Sequence, residues 1–184
     1  MTARIGLYPG TFDPPHTGHL AFARQTLSEC RLDRLIFLPE PHPAAKPAVT
    51  DLALRLQWLR QLLRPYPAFE VLALPDEQFS VARTWPRLEE IVDPAKVTLL
   101  IGSDKVSSLP SWPGLDQLLS RVSLAIGLRH PDNARAIEAA LASLRESTQV
   151  SFDFRLILTN QAHMASSRLR QQAKITHVRK AKSL

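Results

Sequence analysis

Two histidines three residues apart stand in the run Gly10-Thr11-Phe12-Asp13-Pro14-Pro15-His16-Thr17-Gly18-His19. Residues at that spacing share one side of a helical turn. Both imidazoles can then aim at one point and hydrogen-bond phosphate oxygens as charge moves onto a leaving group. Gly10 follows an apolar stretch and lets the backbone approach an anion closely. A helix starting near Thr17-Gly18-His19 adds its positive dipole end. Two other readings stand beside this one. His16, His19 and Asp13 are a possible zinc set, and one of the histidines can simply cap the turn. The strand-turn-helix setting and the nearby prolines favour phosphate, and no metal site is expected.

Further along, Ser166 and Ser167 at an expected helix start offer hydroxyls and N–H groups to a phosphate. Arg170, one turn on, adds a fixed charge. An ordinary N-cap is the plainer reading of that trio. Trp112, between Pro110 and Pro113 in what reads as a stiff loop, can offer a flat face to a ring or pack into the core. Asp104 suits either a ribose hydroxyl or a helix cap.

The elements that must position these residues alternate. Strands are predicted over Ile5–Tyr8, Leu35–Leu38, Phe69–Leu74, Val97–Ile101, Ser123–Leu128 and Phe152–Leu158. Between them, helices are predicted from Leu20 (apolar face Ala23, Leu27, Cys30) and after a Thr50 or Asp51 cap (Leu52, Leu56, Leu59, Leu63). Others follow around Leu88 and Ile91, over Asp132–Leu144, and near Ser166. The segment Pro39 to Pro47 carries four of the 15 prolines and reads as a loop. Such alternation predicts a single α/β domain: a doubly wound, Rossmann-like parallel sheet with helices on both faces. Ligands then bind beyond the carboxyl ends of the strands, where Pro9–His19, Pro39–Lys46, Gly102–Trp112, Arg129 and Ala165–Arg170 all fall.

Bulk properties narrow the classes. The 184 residues suit one domain over the whole chain, with a short basic tail from about residue 171. No apolar run approaches the roughly 20 residues of a membrane helix, and the first residues do not read as a secretory signal, so a cytoplasmic protein is expected. The lone Cys30 has no disulfide or zinc partner and reads as a buried thiol. The net charge is +6. Without aromatic residues interleaved among the basic ones, it points to polyphosphate ligands rather than nucleic acid.

The run from Gly10 to His19 resembles the loop of the HxGH nucleotidyltransferase superfamily. Tyr8-Pro9-Gly10-Thr11-Phe12-Asp13 alone also suits phosphopantetheine adenylyltransferase, which usually has Thr where this chain has His16. Ile101-Gly102-Ser103-Asp104 through Leu109-Pro110-Ser111-Trp112 resembles the Gly-x-Asp…Leu-Pro-x-Trp segment of the bacterial nicotinate-nucleotide adenylyltransferase family. Phe37-Leu38-Pro39, ending at Lys46, is similar to that family's second loop, and Met164–Arg170 to the superfamily's second motif.

The resemblance implies adenylyl transfer from ATP, carried with Mg2+, to a mononucleotide phosphate. Nicotinate mononucleotide is the first candidate acceptor and deamido-NAD the product. His16 and His19 would be catalytic. Gly10, Thr11, Phe12, Gly18, Arg129, Ser166, Ser167 and Arg170 would bind ATP. Lys46, Thr84, Gly102, Asp104 and Trp112 would line the acceptor. The partners implied are small molecules, and a homo-oligomer is possible. The chain departs from the family where Ala45 replaces His, Arg83 replaces a tyrosine, Ala165 replaces a serine and the tail lacks the usual ending. Two alternatives stay open: a transferase for another phosphorylated acceptor such as phosphopantetheine, and a nucleotide-binding paralogue without turnover.

Overall fold

A computed structural model describes residues 3–42, 49–73, 76–92, 97–129 and 132–158. Among these residues six strands form one sheet: β1 (Ile5–Gly10), β2 (Arg34–Pro39), β3 (Phe69–Val71), β4 (Val97–Gly102), β5 (Val122–Leu128) and β6 (Phe154–Leu158). Every pairing is parallel, and the order is β3-β2-β1-β4-β5-β6. Strand order reverses between β1 and β4, so the chain has the doubly wound Rossmann arrangement its alternation predicts.

Side chains alternate across the sheet, and two cores result. Leu7, Ile36, Leu99, Leu124 and Ile126 pack on one face with Leu88, Leu118, Leu141 and Leu144 from α3 (Thr84–Glu89), α4 (Leu115–Leu119) and α5 (Ala134–Thr148). Tyr8, Leu35, Phe37, Leu100 and Ala125 pack on the other with Phe22 and Ala23 of α1 (Thr17–Glu29) and Leu59 and Leu63 of α2 (Leu52–Leu63). No helix among the described residues is long and apolar enough to cross a membrane.

The departures from expectation have local causes. β3 stops at Val71, short of Leu74. Its ladder runs Leu35 N to Ala68 O and Leu72 N to Phe37 O. The next rung needs an N–H from residue 39, which is Pro39. Past the end of α3 it is Val92, one turn beyond Leu88, that is buried, while Ile91 is half exposed. Of the two caps the sequence offers α5, Asp132 and Asn133, it is Asn133 that accepts from the N–H groups of Arg135 and Ala136, so the helix starts at Ala134. β6 begins at Phe154, and the Phe152 carbonyl just before it accepts from the Arg145 guanidinium.

The stretch expected as a loop around Trp112 is a 3-10 helix, Ser103–Ser111. It buries Val106 and Leu109, and the Ser108 and Ser111 hydroxyls donate to carbonyls three residues back. The buried faces of α1 and α2 are also rotated. Phe22, Ala23 and Thr26 are buried in α1, with Leu20, Leu27 and Cys30 only partly so. Arg55, Leu59 and Leu63 are buried in α2 in place of Leu52 and Leu56. Cys30 caps the end of α1, half-buried rather than in the core, and burial raises its thiol pKa.

Candidate active site

β1 and β4 pair only over Ile5–Leu7 and Val97–Leu99, though each strand runs three residues further. They part toward their carboxyl ends, which opens a crevice where the strand order reverses. Gly10 ends one wall and Gly102 the other.

Beyond Gly10 the chain turns tightly through Phe12, whose φ is +48°. The Phe12 ring is buried edge-on against Tyr8 (5.2 Å between centroids) and against His19 (5.1 Å). A side chain on Gly10 would meet that ring at 3.1 Å. The glycine therefore makes room for Phe12. Thr11 and Asp13 are buried, and the Asp13 carboxylate accepts from the Thr50 N–H.

His16 is the N-cap of α1. Its Nδ1 accepts from the Gly18 N–H at 3.1 Å, and its own N–H donates to His19 Nδ1 at 3.2 Å. The capping reading of the sequence is thus real, and both histidines take part in it. It does not compete with phosphate binding. With Nδ1 accepting in each ring, a neutral imidazole carries its proton on Nε2, which becomes a donor. The rings stack at 3.8 Å and 29°. Burial, with a smaller contribution from the Arg129 charge, lowers the His16 pKa to about 4. His16 is therefore a neutral donor at pH 7.

On the facing wall, Arg129 follows β5 and Asp104 lies in the first turn of the 3-10 helix. Arg129 Nη2 and Asp104 Oδ1 are 3.4 Å apart and about half exposed. A Cβ at Gly102 would collide with that Asp104 oxygen at 2.4 Å. The Asp132 carboxylate accepts from the Arg129 N–H and the Ser103 hydroxyl, holding the turn. Burial raises the Tyr8 pKa, with the Arg129 and Asp104 charges as smaller influences.

A third group stands beside the first two. Thr84 is 1% exposed, and its hydroxyl accepts from the Ser80 N–H. It lines a narrow crevice with Leu38, Glu40, Asp76 and Phe79. Trp112 is half-buried, its ring 6.2 Å from Phe79 and packed against the core. Lys46, Ser166, Ser167 and Arg170 lie outside the described residues. Among the described residues, no three or more His, Cys, Asp or Glu are grouped to hold a metal ion. A cavity of about 510 Å³ lies at the other end of the sheet, lined by Arg4, Thr98, Ser123 and Asp153, away from these groups.

The residue that sequence reading missed is Arg55. It is 1% exposed and donates to four backbone carbonyls: Thr50 (2.7 Å), Thr11 (2.6 Å), Glu40 (2.9 Å) and Pro41 (3.0 Å). Its signal was present, since Arg55, Leu59 and Leu63 share one helical stripe.

The cytidylyltransferase-like family matches residues 7–172, from the first strand to just past the second serine motif. The nicotinate-nucleotide adenylyltransferase of Bacillus subtilis is 32% identical over 133 residues, which is 70% of each chain. The chain belongs to the cytidylyltransferase-like family, on its nicotinate-nucleotide adenylyltransferase branch. A probable nicotinate-nucleotide adenylyltransferase of Gemmatimonas aurantiaca is 32% identical over 182 residues, covering 93% of this chain and 81% of that one. The solved structure of Plasmodium falciparum nicotinic acid mononucleotide adenylyltransferase complexed with NaAD superimposes with a TM-score of 0.70 at 16% identity. It covers 91% of this chain and 82% of that one, a likeness of fold. In this cytidylyltransferase-like chain the histidine pair, the Asp104–Arg129 pair and the Trp112 group all border the carboxyl ends of the strands.

Proposed function

We propose that this chain transfers the adenylyl group of ATP to the phosphate of nicotinate mononucleotide, giving deamido-NAD and pyrophosphate, a step of NAD biosynthesis. The observation that carries the reading is the histidine pair. Two stacked imidazoles have their Nδ1 atoms engaged in the helix cap, so a neutral ring carries its proton on Nε2, and the pair sits at the start of α1 where the strand order reverses. The names of the relatives support the acceptor.

In this reading an acceptor phosphate oxygen attacks the α-phosphorus, the α–β bridging bond breaks, and pyrophosphate leaves with the electron pair. Such chemistry needs positioning and charge neutralisation more than a protein nucleophile. His16 and His19 donate to the reacting phosphates. Gly10, Thr11, Phe12 and Gly18 form the loop around them. Arg129 packs by the adenosine. Ser166, Ser167 and Arg170 hold the leaving pyrophosphate. Lys46, Thr84, Gly102, Asp104 and Trp112 are assigned to the acceptor. Magnesium would arrive with ATP and would supply charge neutralisation to the triphosphate. These are cytoplasmic metabolites, and the reading places the chain with them.

The test is pyrophosphate release with ATP and, in turn, nicotinate mononucleotide, its amide and phosphopantetheine. The highest kcat/KM belongs to nicotinate mononucleotide. A preference for another acceptor would redirect the reading, and ATP binding without release in any arm would overturn it.

A further inference from the structure

We propose that Arg55 is a positioning residue for the transfer: its buried guanidinium fixes the phosphate loop against the acceptor-side wall of the site. Three separate stretches of chain meet at it. Thr11 belongs to the phosphate loop, Glu40 and Pro41 follow β2, and Thr50 precedes the Asp51 cap of α2. The stretch after β2 is itself tied to the acceptor-side wall. Glu40 Oε1 accepts from the Phe79 N–H, His42 N–H donates to the Glu77 carbonyl, and Phe79 packs on Trp112. Arg55 is therefore a side-chain link between the loop that would hold ATP and the wall that would hold the acceptor, added to the backbone bond from the Glu40 N–H to the Gly10 carbonyl.

The chemistry of the link calls for arginine. A guanidinium presents five N–H donors in a rigid planar fork, whereas an ammonium has three on a flexible stem. Four carbonyls in three segments match the fork. Burying a cation costs several kcal/mol unless it is hydrogen-bonded and compensated. Here the Asp13, Asp51 and Glu40 carboxylates face it and offset part of the cost, although burial still lowers its pKa. A cation in a core-facing stripe, where Leu would pack without that cost, does work other than filling space.

The inference rests on the adenylyl-transfer reading only for the identity of the two substrates. Its test uses Arg55→Met and Arg55→Lys in the full chain, with ATP and nicotinate mononucleotide. Misplacement of reacting groups by about 1 Å costs roughly 100-fold. We expect Arg55→Met to lose about that much in kcat/KM, with KM raised for both substrates. Arg55→Lys, which can reach only some of the carbonyls, recovers part of the loss. A residue that merely stabilised the fold would lower the folded fraction and leave both KM values unchanged, and that result overturns the proposal. If Arg55→Met does not fold, Arg55→Lys decides: wild-type KM values there also overturn it. If the wild-type chain binds ATP but releases no pyrophosphate with any acceptor, the functional reading has failed. Arg55 is then judged by ATP titration alone, where weaker binding by the variants supports its role and unchanged binding refutes it.

Discussion

His16 and His19 each do two things with two ring nitrogens. Nδ1 closes the helix cap, and in the proposed transfer Nε2 is the donor, so the helix start and the proposed chemistry use the same side chains. The two roles can be separated by substitution. His19→Asn keeps an acceptor near the position of Nδ1 and removes the far donor. We expect a loss of about 100- to 1,000-fold in kcat, with a melting midpoint close to wild type. His19→Ala should lose the same activity and also about 1 kcal/mol of stability, since the His16 N–H is left without that acceptor. Calorimetry and steady-state kinetics check both, and near-wild-type turnover in His19→Asn would refute the assignment of the loop. His16 also carries a pH signature. Its pKa is about 4 in the folded chain and 6.5 in the reference state. Between those values the unfolded chain binds a proton that the folded chain does not, so stability falls as pH drops from about 6.5 to 4. His16→Asn, which can still cap, should flatten that part of the curve of melting midpoint against pH.

The histidines are aimed by α1, and α1 is placed by how closely it lies on the sheet. Phe22 of α1 sits over Gly127 of β5, where an added Cβ would stand 3.0 Å from the ring. Gly127→Val therefore pushes the helix outward. We expect a stability loss of about 1–3 kcal/mol, measured by urea denaturation, and a raised KM for ATP in the folded enzyme. Unchanged KM values would mean that the His pair does not depend on this packing. Gly127 also marks a limit of sequence reading. Strand-helix alternation was legible because apolar runs of strand length and helical periodicities follow one another, and the phosphate loop because two histidines and two glycines fall at a fixed spacing. Arg55 shares a helical stripe with Leu59 and Leu63, but Leu52 and Leu56 compete for the same face, and nothing local shows which four carbonyls a buried guanidinium would meet. The 3-10 helix from Ser103 was hidden by Pro110, which reads as a loop signal. The early end of β3 depends on which strand lies beside it, and that is a property of the sheet alone.

Across the whole molecule, charge is divided between two ranges. The net charge is +6, and Arg129 stands half exposed at the crevice with its pairing to Asp104 open to solvent. These cations attract a triphosphate through water, over distances that salt screens: the Debye length falls from about 10 Å at 0.1 M to about 3 Å at 1 M. The histidine donors are different. His16 is neutral and buried, and a hydrogen bond made at contact distance in a closed site is little affected by ionic strength. Binding and chemistry should therefore separate under salt. From 0.05 M to 0.5 M, KM for ATP is expected to rise several-fold while kcat changes by less than about twofold. Arg129→Gln should carry a higher KM at low salt and a shallower rise. Steady-state kinetics at four or five salt concentrations decides the point. A kcat that falls in parallel with binding would mean that exposed cations, rather than the neutral His16 imidazole, stabilise the transferring phosphate.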